Sequence, residues 1–246
     1  MTIADRAVLV TGANRGLGRA LVEEALQRGA KRVYAGMRTP SPHPDERVTP
    51  VRLDVTSAAQ IQAAVESIGP LDVLINNAGV SLPDDLTDPA ALDQHLAVNL
   101  FGTYGVTRAF LPALTRSRGA IVNVLSLAAL ATVPITPSYA ISKAAAFSLS
   151  QSLRVLLAGR GVTVHVALPG PVDTDMIRDW DIPKTAPESV ARAILDGVQQ
   201  GEEEIFPDPL SAQVAESWRG GAVKALERQN AALLQTVPAD GERGVA

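Results

Sequence analysis

Ala7-Val-Leu-Val-Thr-Gly-Ala-Asn-Arg-Gly-Leu-Gly18 decides the fold. An apolar, β-branched run enters a turn holding three glycines, and a helical pattern, Gly18–Arg28, follows directly. Glycines let the backbone turn tightly and approach a pyrophosphate closely, and the helix N-terminus offers free N–H groups to the phosphates. The spacing is G-x-x-x-G-x-G, not the commoner G-x-G-x-x-G, and a lone turn of this kind can be purely structural. Its place between a first strand and a first helix makes it a candidate dinucleotide cradle, with Gly12, Asn14, Arg15, Gly16, Leu17 and Gly18 as contacts.

The same alternation continues along the chain. Ala7–Val10, Arg32–Ala35, Thr49–Leu53, Val73–Asn76, Ala120–Leu125, Val162–Leu168 and Glu204–Phe206 read as strands. Gly18–Arg28, Ser57–Ile68, Pro89–Leu114, Ser138–Gly159 and Pro187–Gln200 carry a helical period. Strands alternating with helices indicate parallel βαβ units, and strands apolar on both faces indicate a sheet covered on both sides. The expectation is α/β: a Rossmann-type, doubly wound, mostly parallel seven-stranded sheet with helices on both faces, as a single domain over residues 1–246. Thr39–Pro50 holds four prolines and reads as an irregular loop in place of a crossover helix. Leu210–Leu234 is helical with a break at Gly220-Gly221, which makes 210–236 a C-terminal helical extension. The final ten residues show no reason to pack.

Composition narrows the function. The 246 residues are 46% hydrophobic with a net charge of −4, and no Lys/Arg cluster exceeds a pair. Neither nucleic acid nor an anionic membrane surface is expected as a partner. The absence of cysteine excludes disulfides, thiolate metal sites and cysteine nucleophiles. His43, His95 and His165 lack metal-site spacing and read as ordinary surface or strand residues, so no metal is expected. No apolar run approaches a membrane span, and the chain enters a strand at once with no signal peptide. A cytoplasmic protein is expected. The segment from Ser138 is rich in Ala, Ser and Leu nearly all round, which motivates a homodimer or homotetramer.

Tyr139 and Lys143 are four apart on that helix and share a face, with Ser126 thirteen residues before the tyrosine. A phenol titrates near ~10, and a neighbouring ammonium favours its ionised form, bringing it toward the working range for acid–base catalysis. At the end of the second strand, an acid would bind the ribose hydroxyl of NAD, but the chain reads Ala35-Gly-Met-Arg38. Arg38, with Arg15 as a second candidate, suits a 2′-phosphate, so NADP(H) is expected over NAD(H).

With these motifs in order the chain resembles the short-chain dehydrogenase/reductase family, in its shorter single-domain branch. The resemblance runs from about Ala4 to Phe206: the glycine turn, Asp54-Val55, Asn76-Asn-Ala-Gly79, Asn99, Ser126, Tyr139-x-x-x-Lys143, and Pro169-Gly-Pro171 with Thr174. It implies hydride transfer from NADPH to a carbonyl carbon, with Tyr139 as general acid and Ser126 hydrogen-bonded to the same oxygen. It implies that Lys143 lowers the Tyr139 pKa and binds the nicotinamide ribose. Asn99 would hold a water that links Lys143 to solvent. Asp54, beside Val55, would meet the adenine amino group. Asn76 and Asn77 would tie the fourth strand to its neighbours, and Ala78-Gly79 would pass under the ribose. Pro169, Gly170 and Val172 would hold the carboxamide, with Thr174 assisting. Asn77 and Gly79 as a plain turn, and Thr174 as a helix cap, remain open.

The segment Leu125-Ser-Leu-Ala-Ala lacks the second serine and glycine of many members, leaving an apolar wall beside Ser126. Other walls, Ser81-Leu82, Leu127–Ile135 and Met176–Ile182 with Trp180, are mostly apolar, and 174–186 reads as a substrate lid. An uncharged hydrophobic ketone or aldehyde, or the matching alcohol, is expected, interconverted by an alcohol dehydrogenase or carbonyl reductase. A non-catalytic dinucleotide sensor or scaffold of the same fold is the alternative. The four-residue Tyr–Lys gap speaks against an enoyl reductase, and the short C-terminal part against an epimerase.

Overall fold

The computed structural model describes residues 1–236. The last ten residues, for which no packing is expected, lie outside them. Seven strands form one sheet: β1 (Ala7–Thr11), β2 (Arg32–Met37), β3 (Val48–Arg52), β4 (Val73–Asn76), β5 (Ala120–Val124), β6 (Thr163–Ala167) and β7 (Glu204–Ile205). Their order is 3-2-1-4-5-6-7, and every pairing is parallel. The helices are α1 (Gly16–Gln27), α2 (Ala58–Ser67), α3 (Pro89–His95), α4 (Thr103–Ser117), α5 (Pro137–Ala158), α6 (Pro187–Gln200), α7 (Pro209–Arg219) and α8 (Ala222–Thr236).

The period of two along each strand feeds two separate cores. Val8 and Val10 join Leu21, Ala25, Ile194 and Val198 of α1 and α6. Leu9 joins Ile61, Phe110 and Leu157 of α2, α4 and α5. The chain winds from β1 outward to β3, then returns to lay β4 on the other side of β1. The crevice at the carboxyl ends of β1 and β4 is thus the switch point where open α/β sheets bind ligands.

Two features differ from the sequence expectation, and a third adds to it. The proline-rich loop is shorter than Thr39–Pro50, because β3 begins at Val48 and Pro50 itself pairs with Ala35. The proline is tolerated because β3 is an edge strand, where one side of the ladder needs no N–H. The long segment Pro89–Leu114 is not one helix. α3 passes into a π-helical stretch, Leu96–Gly102, before α4 begins. Finally, the C-terminal extension breaks at Gly220-Gly221 as expected, but it is tied firmly to the domain. Trp218 meets Phe147 edge-to-face with ring centroids 5.4 Å apart, and its indole N–H donates to Glu204. The buried Lys224 ammonium reaches Glu203, Glu204 and Glu227 at 2.7–3.0 Å, and Arg154 adds a second cation. These carboxylates are thus paired within the chain itself. Buried charges persist only when paired this closely.

Candidate active site

One cleft, of about 570 Å³, opens over the carboxyl ends of the central strands. At its cofactor end lies the glycine turn. Gly12 sits at φ +66, and a side chain there would strike the Ala78 backbone at 2.9 Å. A Cβ on Gly18 would fall 2.1 Å from the Gly12 carbonyl, so the turn and helix can close only around hydrogen. Thr11 and Asn77 fasten the turn to β4: the Thr11 hydroxyl accepts the N–H groups of Asn77 and Ala78, and the Asn77 amide donates to the Thr11 and Gly12 carbonyls. Asn77 is a cross-strand tie rather than a plain turn residue. Asn76 does the same toward β5, donating to Asn123 and Thr107.

Gly12, Arg15, Gly16, Leu17, Gly18, Arg38, Asp54, Val55, Asn77, Ala78, Gly79, Pro169, Gly170, Val172 and Thr174 all line the cleft, with Ser126, Tyr139 and Lys143. Asn14 and Asn99 do not. Asn14 is exposed outside the turn. Arg15 reaches across the cleft mouth to Asp175, at 2.9 Å, and Asp175 also pairs with Arg178. Arg38 is exposed at the end of β2 and has no ion-pair partner among the described residues. The Asp54 carboxylate accepts both the N–H and the hydroxyl of Thr56, which hold its pKa below the usual carboxylate range. Thr174 makes no capping bond to the short turn after it, leaving its side chain to the glycine turn; a Cβ on Gly16 would lie 3.0 Å from its methyl.

At the other end Ser126, just past β5, and Tyr139, in the first turn of α5, line the same cleft, and the serine hydroxyl favours the ionised phenol. The Ser126 oxygen is held by the Ala128 N–H, 3.1 Å away. Lys143 lies one turn on, 4% exposed, with Nζ over the Tyr139 ring at 5.6 Å and donating to the Val124 carbonyl at 3.0 Å. Burial pushes the Tyr139 phenol up to about 12, against the lowering effect of Ser126, and pulls the Lys143 ammonium down to about 8. The expectation that Lys143 brings the phenol toward neutrality is therefore reversed in this geometry. Both groups lose water, and desolvation opposes charge on each.

Asn99 sits in the π-helical stretch, buried, across Gly79 from Lys143. Its amide clamps Val80 from both sides, accepting from the N–H and donating to the carbonyl at 2.9 Å, and donates also to Ser142. Two residues outside the sequence-derived set belong to this architecture. His95, expected to be a surface or strand residue, is fully buried at the end of α3, edge-on to Tyr139 with centroids 6.4 Å apart. Its Nε2 accepts the Leu82 N–H, and Nδ1 meets the Ala91 carbonyl. Asp208 caps α7 through the N–H groups of Leu210 and Ser211, and its other oxygen accepts the Gly170 N–H at 2.8 Å. The Asp-Pro-x-Ser run at 208–211 is a legible helix start. Its reach to Gly170, far away in the chain, is not.

The family model for short chain dehydrogenases matches residues 6–184. The chain belongs to the short-chain dehydrogenase family. The chain is 31% identical over 214 residues to an uncharacterized oxidoreductase of Staphylococcus aureus (strain USA300), covering 80% of this chain and 93% of that one. It is 35% identical over 199 residues to mouse (Mus musculus) estradiol 17-beta-dehydrogenase 2, covering 74% of this chain and 52% of the mouse protein. Among solved structures, a short chain dehydrogenase from Burkholderia cenocepacia J2315, in complex with NADP, superposes with a TM-score of 0.85 at 37% identity. That likeness covers 93% of this chain and 98% of the other. The chain is thus an oxidoreductase by family, built on the Rossmann-type sheet that its sequence predicts. Among the described residues no helix is long and apolar enough to cross a membrane.

Proposed function

We propose that this protein is an NADP(H)-dependent oxidoreductase that interconverts a ketone or aldehyde and an alcohol on an uncharged hydrophobic substrate. The observation that carries this reading is the convergence of Ser126, Tyr139 and Lys143 on one cleft, with the buried Lys143 ammonium 5.6 Å from the Tyr139 ring centroid. The cradle that only glycine allows at Gly12 and Gly18, the Asp54 carboxylate and the turn at Pro169-Gly170 suit a dinucleotide along the floor. Bound there, the nicotinamide would supply or accept the hydride.

The chain's own residues handle the proton. A phenol held near 12 is fully protonated at neutral pH, so Tyr139 is ready to donate to an oxygen that becomes an alkoxide. Ser126 hydrogen-bonds the same oxygen, so donors already point where charge develops. The Lys143 ammonium, charged below about pH 8, stabilises the phenolate left behind and would hold the ribose hydroxyls. Asn99 would hold the water that returns the proton. The walls around the reacting centre, Leu127, Val133, Met176, Trp180 and Ile182, are apolar, which suits a hydrophobic substrate. The mouse relative's name, an estradiol dehydrogenase, supports the same substrate character.

Arg38 carries the NADP preference, because Arg15 is already engaged by Asp175. The Burkholderia relative solved with NADP supports it. Ile141 and Leu156 on α5, with Phe101 and Tyr104 beside it, are exposed apolar side chains. They support a homodimer or homotetramer, and sedimentation showing only monomer at micromolar concentration would remove that part of the proposal.

The test is a panel of aryl and alkyl ketones with NADPH and NADH, following cofactor absorbance. Turnover should favour NADPH, Arg38→Asp should reverse the preference, and Tyr139→Phe should abolish turnover with cofactor binding intact. Saturable cofactor binding with no turnover on any carbonyl would instead make the protein a dinucleotide sensor.

A further inference from the structure

Thr136 occupies the cap position of α5, immediately before Pro137, yet its side chain makes no capping hydrogen bond. The residue is 2% exposed and lines the cleft. Its backbone is satisfied, the N–H by the Val133 carbonyl and the C=O by the Ala140 N–H. Its hydroxyl has no hydrogen-bond partner among the described residues. Asn76 Oδ1 is the only fully covered side-chain polar atom without a partner there, so the small remaining exposure of Thr136 includes its hydroxyl oxygen, and that opening is the cleft. A hydroxyl buried in a cleft whose walls include Leu127, Val133 and Trp180 is costly unless something in the cleft bonds to it. Thr136 stands at the cap position of the helix whose first turn carries Tyr139, and both residues line the cleft. Ser81 also lines the cleft, but it is only half-buried, so solvent reaches it.

We infer that Thr136 is a substrate-recognition residue: its hydroxyl hydrogen-bonds a second oxygen on the substrate, a hydroxyl or carbonyl one or two bonds from the reacting carbonyl carbon. The favoured substrates are neutral hydrophobic ketones of that kind, such as α-hydroxyketones. This rests on the reading of the cleft as a carbonyl/alcohol site. A ligand without the second oxygen leaves the threonine hydroxyl unpaired, which costs about tenfold in affinity.

The experiment compares Thr136→Val, which keeps the shape and removes the hydroxyl, with Thr136→Ser, which keeps the hydroxyl. Acetophenone and α-hydroxyacetophenone are the kinetic probes. Each variant is divided by wild type on the same ketone, so intrinsic reactivity cancels. The Thr136→Val ratio in kcat/KM should fall about tenfold further for the hydroxyketone than for acetophenone, with most of the change in KM, and Thr136→Ser should restore it. Binding of 1-phenylethanol and 1-phenyl-1,2-ethanediol to the NADP-loaded protein, by calorimetry, should show the same difference without turnover. Because the hydroxyl makes no capping bond, the thermal midpoint should not drop. Equal ratios for the two probes, or no binding of the diol to wild type, would overturn the assignment. If wild type reduces neither ketone, the carbonyl/alcohol reading fails, while the calorimetric arm still decides whether Thr136 recognises the second oxygen.

Discussion

Lys143→Met makes the energetic cost of the site measurable. The ammonium is buried, and its pKa falls from 10.5 to about 8. At about 1.4 kcal/mol per pH unit, the charged form is disfavoured in the folded protein by about 3 kcal/mol. The lysine binds fewer protons folded than unfolded between pH 8 and 10.5, so its contribution to stability rises with pH through that window. Below pH 8 it is charged in both states, and the whole penalty is present. Methionine removes the penalty but leaves the Val124 carbonyl without its donor, a loss of about 1–3 kcal/mol that does not depend on pH. At pH 7 the two changes oppose each other, and the variant should be as stable as wild type or somewhat more so. The pH dependence separates them. Denaturant unfolding of the cofactor-free protein at pH 7 and pH 10 should show the variant's advantage shrinking by about 2–3 kcal/mol, because the penalty has mostly gone at pH 10. All other titrations are common to both proteins and cancel. A stability difference that stays constant over this range would refute the claim that burial depresses the lysine.

The same ammonium sets an alkaline limit on reduction: kcat/KM should fall as pH rises through about 8, where Lys143 loses its proton, while Tyr139, near 12, stays protonated. A profile flat to pH 9.5 would show that the charge is not required. Asp208→Ala should cost about 1–2 kcal/mol through the lost cap of α7 and, by freeing the Gly170 N–H, weaken dinucleotide binding; calorimetry of unfolding and a cofactor titration check both. Asp175→Asn should release Arg15 and raise affinity for NADPH severalfold at most, with little change for NADH, since the pair it breaks is exposed. Equal shifts for the two cofactors would show that Arg15 does not approach the 2′-phosphate.

The strands, their parallel sense and, within a residue, the ends of α2 and α6 are legible in the sequence because they follow from local periodicity and its alternation. The glycine turn is legible because only glycine satisfies its geometry, at Gly12 by φ and at Gly18 by contact with the Gly12 carbonyl. What is hidden depends on distant partners. Pro50 looks like a loop residue until its strand is known to be at the edge of the sheet. His95 looks ordinary because its contacts, Leu82 and the Tyr139 ring, come from other elements. The π-helical stretch is invisible to a 3.6-residue period, and it is what turns Asn99 onto Val80. The phenol's direction of shift is hidden too, because sequence spacing supplies the ammonium but not the depth of burial.

These hidden contacts give the cleft two walls of different kind. On one side the segment Val80–Asp84 is tied at every second residue to the elements that build the site. Asn99 holds Val80, His95 holds Leu82, and Asp84 accepts the Ser138 hydroxyl at 2.8 Å, next to Tyr139 itself. Asn99, His95 and Ser138 are buried, so moving this wall means breaking hydrogen bonds that water cannot readily replace, and any such movement carries the phenol with it. On the other side the segment from Thr174 is joined to the glycine turn by Arg15–Asp175, an exposed pair that water and salt weaken, while backbone bonds between Pro171, Asp173 and Thr185 close its base. Substrate entry and cofactor exchange are therefore expected on the Thr174 side. Substitutions that loosen it should act on KM and release, whereas substitutions at His95 or Asp84 should act on kcat, because they disturb the position from which Tyr139 gives its proton.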